Sequence, residues 1–155
     1  MNLVAPTVGA TPRPSAEPVS LIGLPTWLWI DSADEHSWGP ITRTASAGGV
    51  TVTATAKVAK VAWDMGDGNT VTCTTKGTEW TPAKGTGDSP TCGYRYTSRG
   101  ERTITATTFW EVDWSGAGQS GTITFAMSGT RDVNVVELRA VITGFTPGGV
   151  TRPVR

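Results

Sequence analysis

The clearest order in this chain is alternation. Val50, Val52, Ala54 and Ala56 interleave with Thr51, Thr53 and Thr55, a period of two held over seven residues. That is the pattern of a strand with one apolar and one hydroxyl-bearing face. Residues 57–64 (KVAKVAWD) carry a second strand, but Val58 and Val61 are out of phase by one. The slip predicts a bulge or bend near Ala59–Lys60. Val71–Cys73 is a short third strand, and residues 79–90 form a long loop rich in Pro, Gly, Lys and Asp. Residues 102–114 form the longest predicted strand, with Ile104, Ala106, Thr108, Trp110, Val112 and Trp114 on one parity. Phe109 alone breaks the polar parity. Residues 115–120 (SGAGQS) form a turn, after which Ile123, Phe125 and Met127 alternate with Thr122 and Thr124, so a hairpin is expected. A final strand is expected over 133–142, and residues 143–155 read as a loose tail. No helical period and no tandem repeat is present.

The first 43 residues read differently. Residues 1–20 hold four prolines and few large apolar side chains, so their own composition cannot offset the entropy of ordering. They are expected to be an extended Pro-rich linker or arm. Residues 21–30 (LIGLPTWLWI) are the most hydrophobic stretch, interrupted by Pro25 and too short to span a bilayer. They predict a strand buried on both faces, or an edge strand lying across a sheet. Residues 31–40 are a turn-rich connector. Seven or eight short strands separated by turn signals imply an all-β, antiparallel two-sheet sandwich over 44–142, preceded by the Pro-rich arm (1–20) and by a hydrophobic strand and connector (21–43).

Composition narrows the function classes. Lysine plus arginine and aspartate plus glutamate are 13 each, giving no net charge. No basic block is available for nucleic acid or an anionic membrane surface. No apolar run is long enough for a membrane span. Cys73 and Cys92 are too few, even with the single histidine, His36, to make a zinc site. A disulfide across the intervening loop is expected, worth about 3 kcal/mol by the chain-entropy argument. That places the chain in an oxidising compartment. Residues 1–20 lack the basic start and apolar stretch of a signal peptide, so any leader or anchor is expected to lie outside this chain.

One motif carries more information. Trp63-Asp64-Met65-Gly66-Asp67-Gly68 ends a strand in a tight turn, in which Gly66 and Gly68 permit positive φ and the aspartates can bond back to the backbone. Cys92-Gly93-Tyr94-Arg95-Tyr96, Gly100 and Thr103-Ile104-Thr105-Ala106 follow. Over residues 44–138 this resembles the polycystic kidney disease (PKD) domain family of Ig-like sandwiches. Met65 stands where that family usually has phenylalanine, Tyr94 where it has histidine, and Arg102-Thr103 where tyrosine-threonine is common. The paired cysteines and long loop are not general features of the family. The run GLPTWLWI, ASAGGVTVTATA, WDMGDG, CGYRY and TFWEVDW more closely resembles secreted or envelope proteins of high-GC Gram-positive bacteria that carry a PKD-like domain. The resemblance implies an extracellular, Ig/PKD-like spacer or binding module without catalysis or cofactor.

Asp64, Asp67 and Asn69 cluster three oxygen-bearing side chains, but calcium needs six to eight oxygens and the spacing is not that of an EF-hand. A turn held by aspartate–backbone bonds is the expected reading. Asp31, Asp34, Glu35 and His36 are expected to be a solvated turn rather than an acid–base pair. No GxSxG elbow and no phosphate-binding GxxxxGK[ST] loop is present, so neither a serine hydrolase nor nucleotide binding is expected. Glu111 and Asp113 share the outer face of one strand, ordinary decoration there. Trp63 and one of Trp110 or Trp114 are expected in the core. Leu24, Trp27, Trp29, Trp38, Trp80 and Phe109 are the candidate partner-binding residues. The expected function is non-catalytic protein–protein contact in a cell-envelope or secreted assembly. The alternatives are a carbohydrate-binding module that holds a glycan through loop tryptophans, and an accessory domain of a secreted hydrolase.

Overall fold

The structure, a computed structural model, describes residues 1–11 and 19–137. They form two β-sheets in a sandwich-like arrangement, as the alternation implies. The strands are β1 (Val8–Ala10), β2 (Val19–Leu21), β3 (Thr26–Ile30), β4 (Ile41–Ala47), β5 (Val50–Asp64), β6 (Thr70–Cys73), β7 (Gly93–Tyr94), β8 (Gly100–Gly116) and β9 (Gln119–Val136). A small sheet has the order β1-β3-β7. The large sheet runs β2-β9-β8-β5-β4, with β6 also paired to β5. All pairings are antiparallel except β2 with β9, which is parallel.

At the level of elements the structure corrects three expectations and decides between the two alternatives for residues 21–30. Residues 1–20 are not all linker: Val8–Ala10 form a buried strand paired with Leu28–Ile30. Three residues cannot show a period, and this strand exists because β3 offers it an edge. Residues 21–30 do not form an edge strand. β3 is buried at every position and lies between β1 and β7, the two-faced burial the hydrophobic run allowed. The separate strands expected at 50–56 and 57–64, and at 122–127 and 133–142, are single long strands, β5 and β9. β9, not β8, is the longest, at 18 residues. The residue 12–18 part of the arm, the last strand beyond 137 and the tail lie outside the described residues.

The predicted bulge is present. Val58 pairs with Trp110 and Lys60 with Phe109, leaving Ala59 unpaired. The bulge divides β5 in two. Its distal part, 50–56, pairs with β4, and its proximal part, 61–64, pairs with β6. The small sheet covers only the proximal part, where Leu28 and Ile30 pack with Val61, Trp63, Ile104, Ala106, Val133 and Val135. A second cluster of Ile41, Ala56, Val58 and Trp110 lies at the bulge under Leu3 and Trp38. Beyond it β4, β5, β8 and β9 continue as an arm. Val50, Val52 and Ile123 on its inner face are exposed, Ile123 to 56%. The outer face carries hydroxyl pairs, Thr42–Thr55 at 2.8 Å, Thr44–Thr53 at 3.1 Å and Ser46–Thr51 at 2.8 Å. Trp63 and Trp110 are both core, and Trp114 is half-buried across Gly121.

Cys73 and Cys92 form the expected disulfide, with Cα atoms 6.1 Å apart. Cys73 ends a strand of the large sheet and Cys92 precedes β7 of the small one, so the bond staples the two layers. It is compatible with an extracellular location.

Candidate functional site

Three of the six candidate partner-binding residues come together at one place. Leu24, Trp27 and Trp80 line a cavity of about 380 Å³, with Leu21, Pro25 and Val19 among its other walls. They arrive from distant parts of the chain. Pro25 follows a turn at Gly23 and leads into β3, which starts at Thr26 and carries Trp27 as its second residue. Trp80 comes from the long loop, which contains one short 3₁₀ turn over Pro82–Lys84.

The loop is held by its own backbone carbonyls. Trp80 Nε1 donates to Gly85 O at 2.7 Å, and Trp27 Nε1 donates to Gly87 O at 2.8 Å. Arg95 clamps the next turn, donating from Nε and Nη2 to Asp88 at 3.1 Å each and from Nη1 to Gly23 O at 2.9 Å. These bonds spend both indole N–H groups inside the protein. What the tryptophans offer the cavity is ring surface, which suits an apolar side chain better than a hydroxylated ring. Leu24 is 40% exposed at its mouth.

The other three candidates separate. Trp29 is buried as deeply as Trp27 but does not line the cavity; it lies against Gly9 and donates to Asp31 Oδ1 at 3.2 Å, so it belongs to the packing. Trp38 is half-buried and packs against both hydrophobic clusters. Phe109 is exposed on the outer face of β8, where Lys60 Nζ sits 5.2 Å from its ring centroid. That contact is worth about 0.5–1 kcal/mol at an exposed site.

The Trp63–Gly68 turn has the built geometry its sequence implied. Asp64 Oδ1 accepts from Gly66 N at 2.9 Å, and Asp67 Oδ1 accepts from Asn69 N at 3.1 Å. Gly66 has φ +79°, and a Cβ there would sit 2.7 Å from Thr103 O, so only glycine fits. Tyr94 Oη donates to Asp67 Oδ2 at 2.6 Å and accepts from Asn69 Nδ2 at 2.9 Å. Below, the fully buried Tyr96 donates to Met65 O at 2.8 Å. Burial by itself would push the Asp67 carboxyl up, but hydrogen bonds from Tyr94 and Asn69 outweigh it and the net shift is downward. The same burial, then the bond to Asp67, push the Tyr94 phenol up. Both aspartates thus spend oxygens on the turn, and among the described residues no group of three His, Cys, Asp or Glu side chains could hold a metal ion.

The acidic connector is likewise occupied. Asp34 Oδ1 accepts from the backbone N–H of His36 at 2.9 Å and of Ser37 at 3.1 Å. The bond from His36 is the main cause that draws its carboxyl below the usual range. Asp113 accepts from Thr122 Oγ1 at 2.7 Å. Sequence reasoning missed Arg95, whose role depends on a loop seven residues upstream and a turn 72 residues away. Its place inside CGYRY was the one available signal.

Comparison with family models, curated proteins and solved structures finds no match to this chain.

Proposed function

We propose that this chain is a non-catalytic extracellular β-sandwich module, PKD-like in its turn motif, that mediates protein–protein contact in a cell-envelope or secreted assembly. The observation that carries the reading is the convergence of Leu24, Trp27 and Trp80 on one apolar cavity. Aromatic side chains in preformed apolar pockets are the usual anchors of protein interfaces. Both indole N–H groups are bonded internally, which favours an apolar side chain of a protein over a glycan. The disulfide between the layers supports an oxidising location. The acidic residues nearest to a catalytic arrangement are engaged in turns and strand pairs, which supports the non-catalytic reading.

The test is photo-crosslinking in a secreting host, with a photoreactive residue at Leu24. A discrete adduct with a second protein, lost when Trp80→Ala is added, is the expected result. Absence of any such adduct overturns the reading. Retention on peptidoglycan, cellulose or chitin that disappears in Trp80→Ala would replace it with the carbohydrate-binding alternative.

A further inference from the structure

The inner face of the arm has no second layer among the described residues. It carries Val50, Val52 and Ala54 on β5, and Trp114 and Ile123 on β8 and β9. Its alternation is the same as in the body, where the matching face lies under the small sheet. A sheet with one apolar face is stable when that face is packed. We propose that this face packs against the same face of a second copy of the chain.

The shape of the molecule selects that occupant. The layer formed by β1, β3 and β7 stops short of the arm, so each chain is a step one sheet thick. A two-fold rotation about an axis across the strands lays arm on arm, with tips pointing in opposite directions. Each arm then continues the layer that its partner's small sheet begins, at about the 10 Å spacing of packed sheets. Two identical steps close in this way without obstructing each other.

Charge agrees with this choice. Arg43 is the one charged side chain on the arm's inner face. It is turned to its own chain, with Nη1 donating to Thr42 O at 2.9 Å and Nη2 lying 3.7 Å from Glu35 Oε1. A two-fold pair therefore opposes one exposed cation per chain, each already beside a carboxylate, and an acidic partner finds no basic cluster to meet.

Area sets the strength. Four strands at the usual spacing and about seven residues of length give a footprint of roughly 19 by 24 Å. Two copies then contribute about 900 Å², below the ~1,200 Å² of standard stable interfaces. The dimer is therefore weak and reversible.

Sedimentation of the full chain from about 5 to 300 µM tests this. The wild type is expected to shift from monomer to dimer across that range. Ile123→Lys and Val52→Lys, at exposed positions that tolerate polar side chains, are expected to weaken association at least about tenfold. Thr124→Lys, on the outer face, is expected to leave it unchanged. Hydrogen exchange of the wild type gives a reading free of substitutions: residues 111–125 should gain protection at the higher concentration. A chain monomeric at 300 µM overturns the proposal. So does a dimer indifferent to Ile123→Lys and Val52→Lys. Flotation of a monomeric chain with phosphatidylcholine vesicles would also overturn it, by assigning the face to a lipid surface.

Discussion

The body and the arm are built from the same strands and the same alternation, yet they stand on different energetic footings. In the body, Ile104 and Ala106 of β8 are fully buried beneath the small sheet. In the arm, Val52 and Ile123 on the same face of the same sheet are exposed. The sequence pattern cannot distinguish these cases, because alternation reports which face is apolar and not whether anything covers it. The body holds itself together through burial and a covalent staple. The arm holds together through its ladder, its hydroxyl pairs and local contacts such as Trp114 across Gly121.

The largest effect is expected for Trp63→Ala in the body. It removes a wholly buried side chain beside Met65 and Ile104 and should cost about 3–5 kcal/mol in denaturant unfolding. Removing the staple with Cys73→Ser and Cys92→Ser together should cost about 3 kcal/mol by the same measurement. If either loss were matched by an arm substitution, the two regions would not differ as described.

A smaller effect concerns pH. The Asp67 carboxyl is held below its unfolded value, so its contribution to stability is present above about pH 4. It is lost as pH falls through the depressed native value. Melting temperature below about pH 4 should therefore fall less steeply in Asp67→Asn than in the wild type. The smallest effect is expected for Ile123→Thr at concentrations where the chain is monomeric. An exposed strand position there should change stability by no more than about 0.5 kcal/mol. A change above 2 kcal/mol would mean that the arm's inner face is already covered within one chain.

Much of the large sheet was legible in the residues. The period at 50–56, the turn at 115–120 and the phase slip between Val58 and Val61 each map onto an observed strand, hairpin or bulge. The turn at Trp63–Gly68 and the disulfide were legible because glycine, aspartate and cysteine have few structural uses. β1 was not legible, because its three residues gain their order from pairing with β3. β4 was not expected at all, although Ile41-Thr42-Arg43-Thr44-Ala45 alternates, because its apolar positions are few and small beside the stronger run that starts at Val50. The candidate site was half legible. Leu24, Trp27 and Trp80 stood out as surplus apolar residues, but their meeting depends on the Gly85 and Gly87 carbonyls and on Arg95. Trp29 and Trp38 looked identical in sequence and belong to the packing instead.

If Ala59 were deleted, Val58 would still sit opposite Trp110 and Lys60 opposite Phe109, and every other side chain would keep its face. The ladder would merely become regular. The extra residue is therefore irrelevant to which groups are inside. What it governs is local twist and bend, hence the direction in which the arm leaves the body. Ala59 is in effect an angle written into the chain as a single residue. A graft of the arm onto another sandwich would have to carry that residue to preserve its aim.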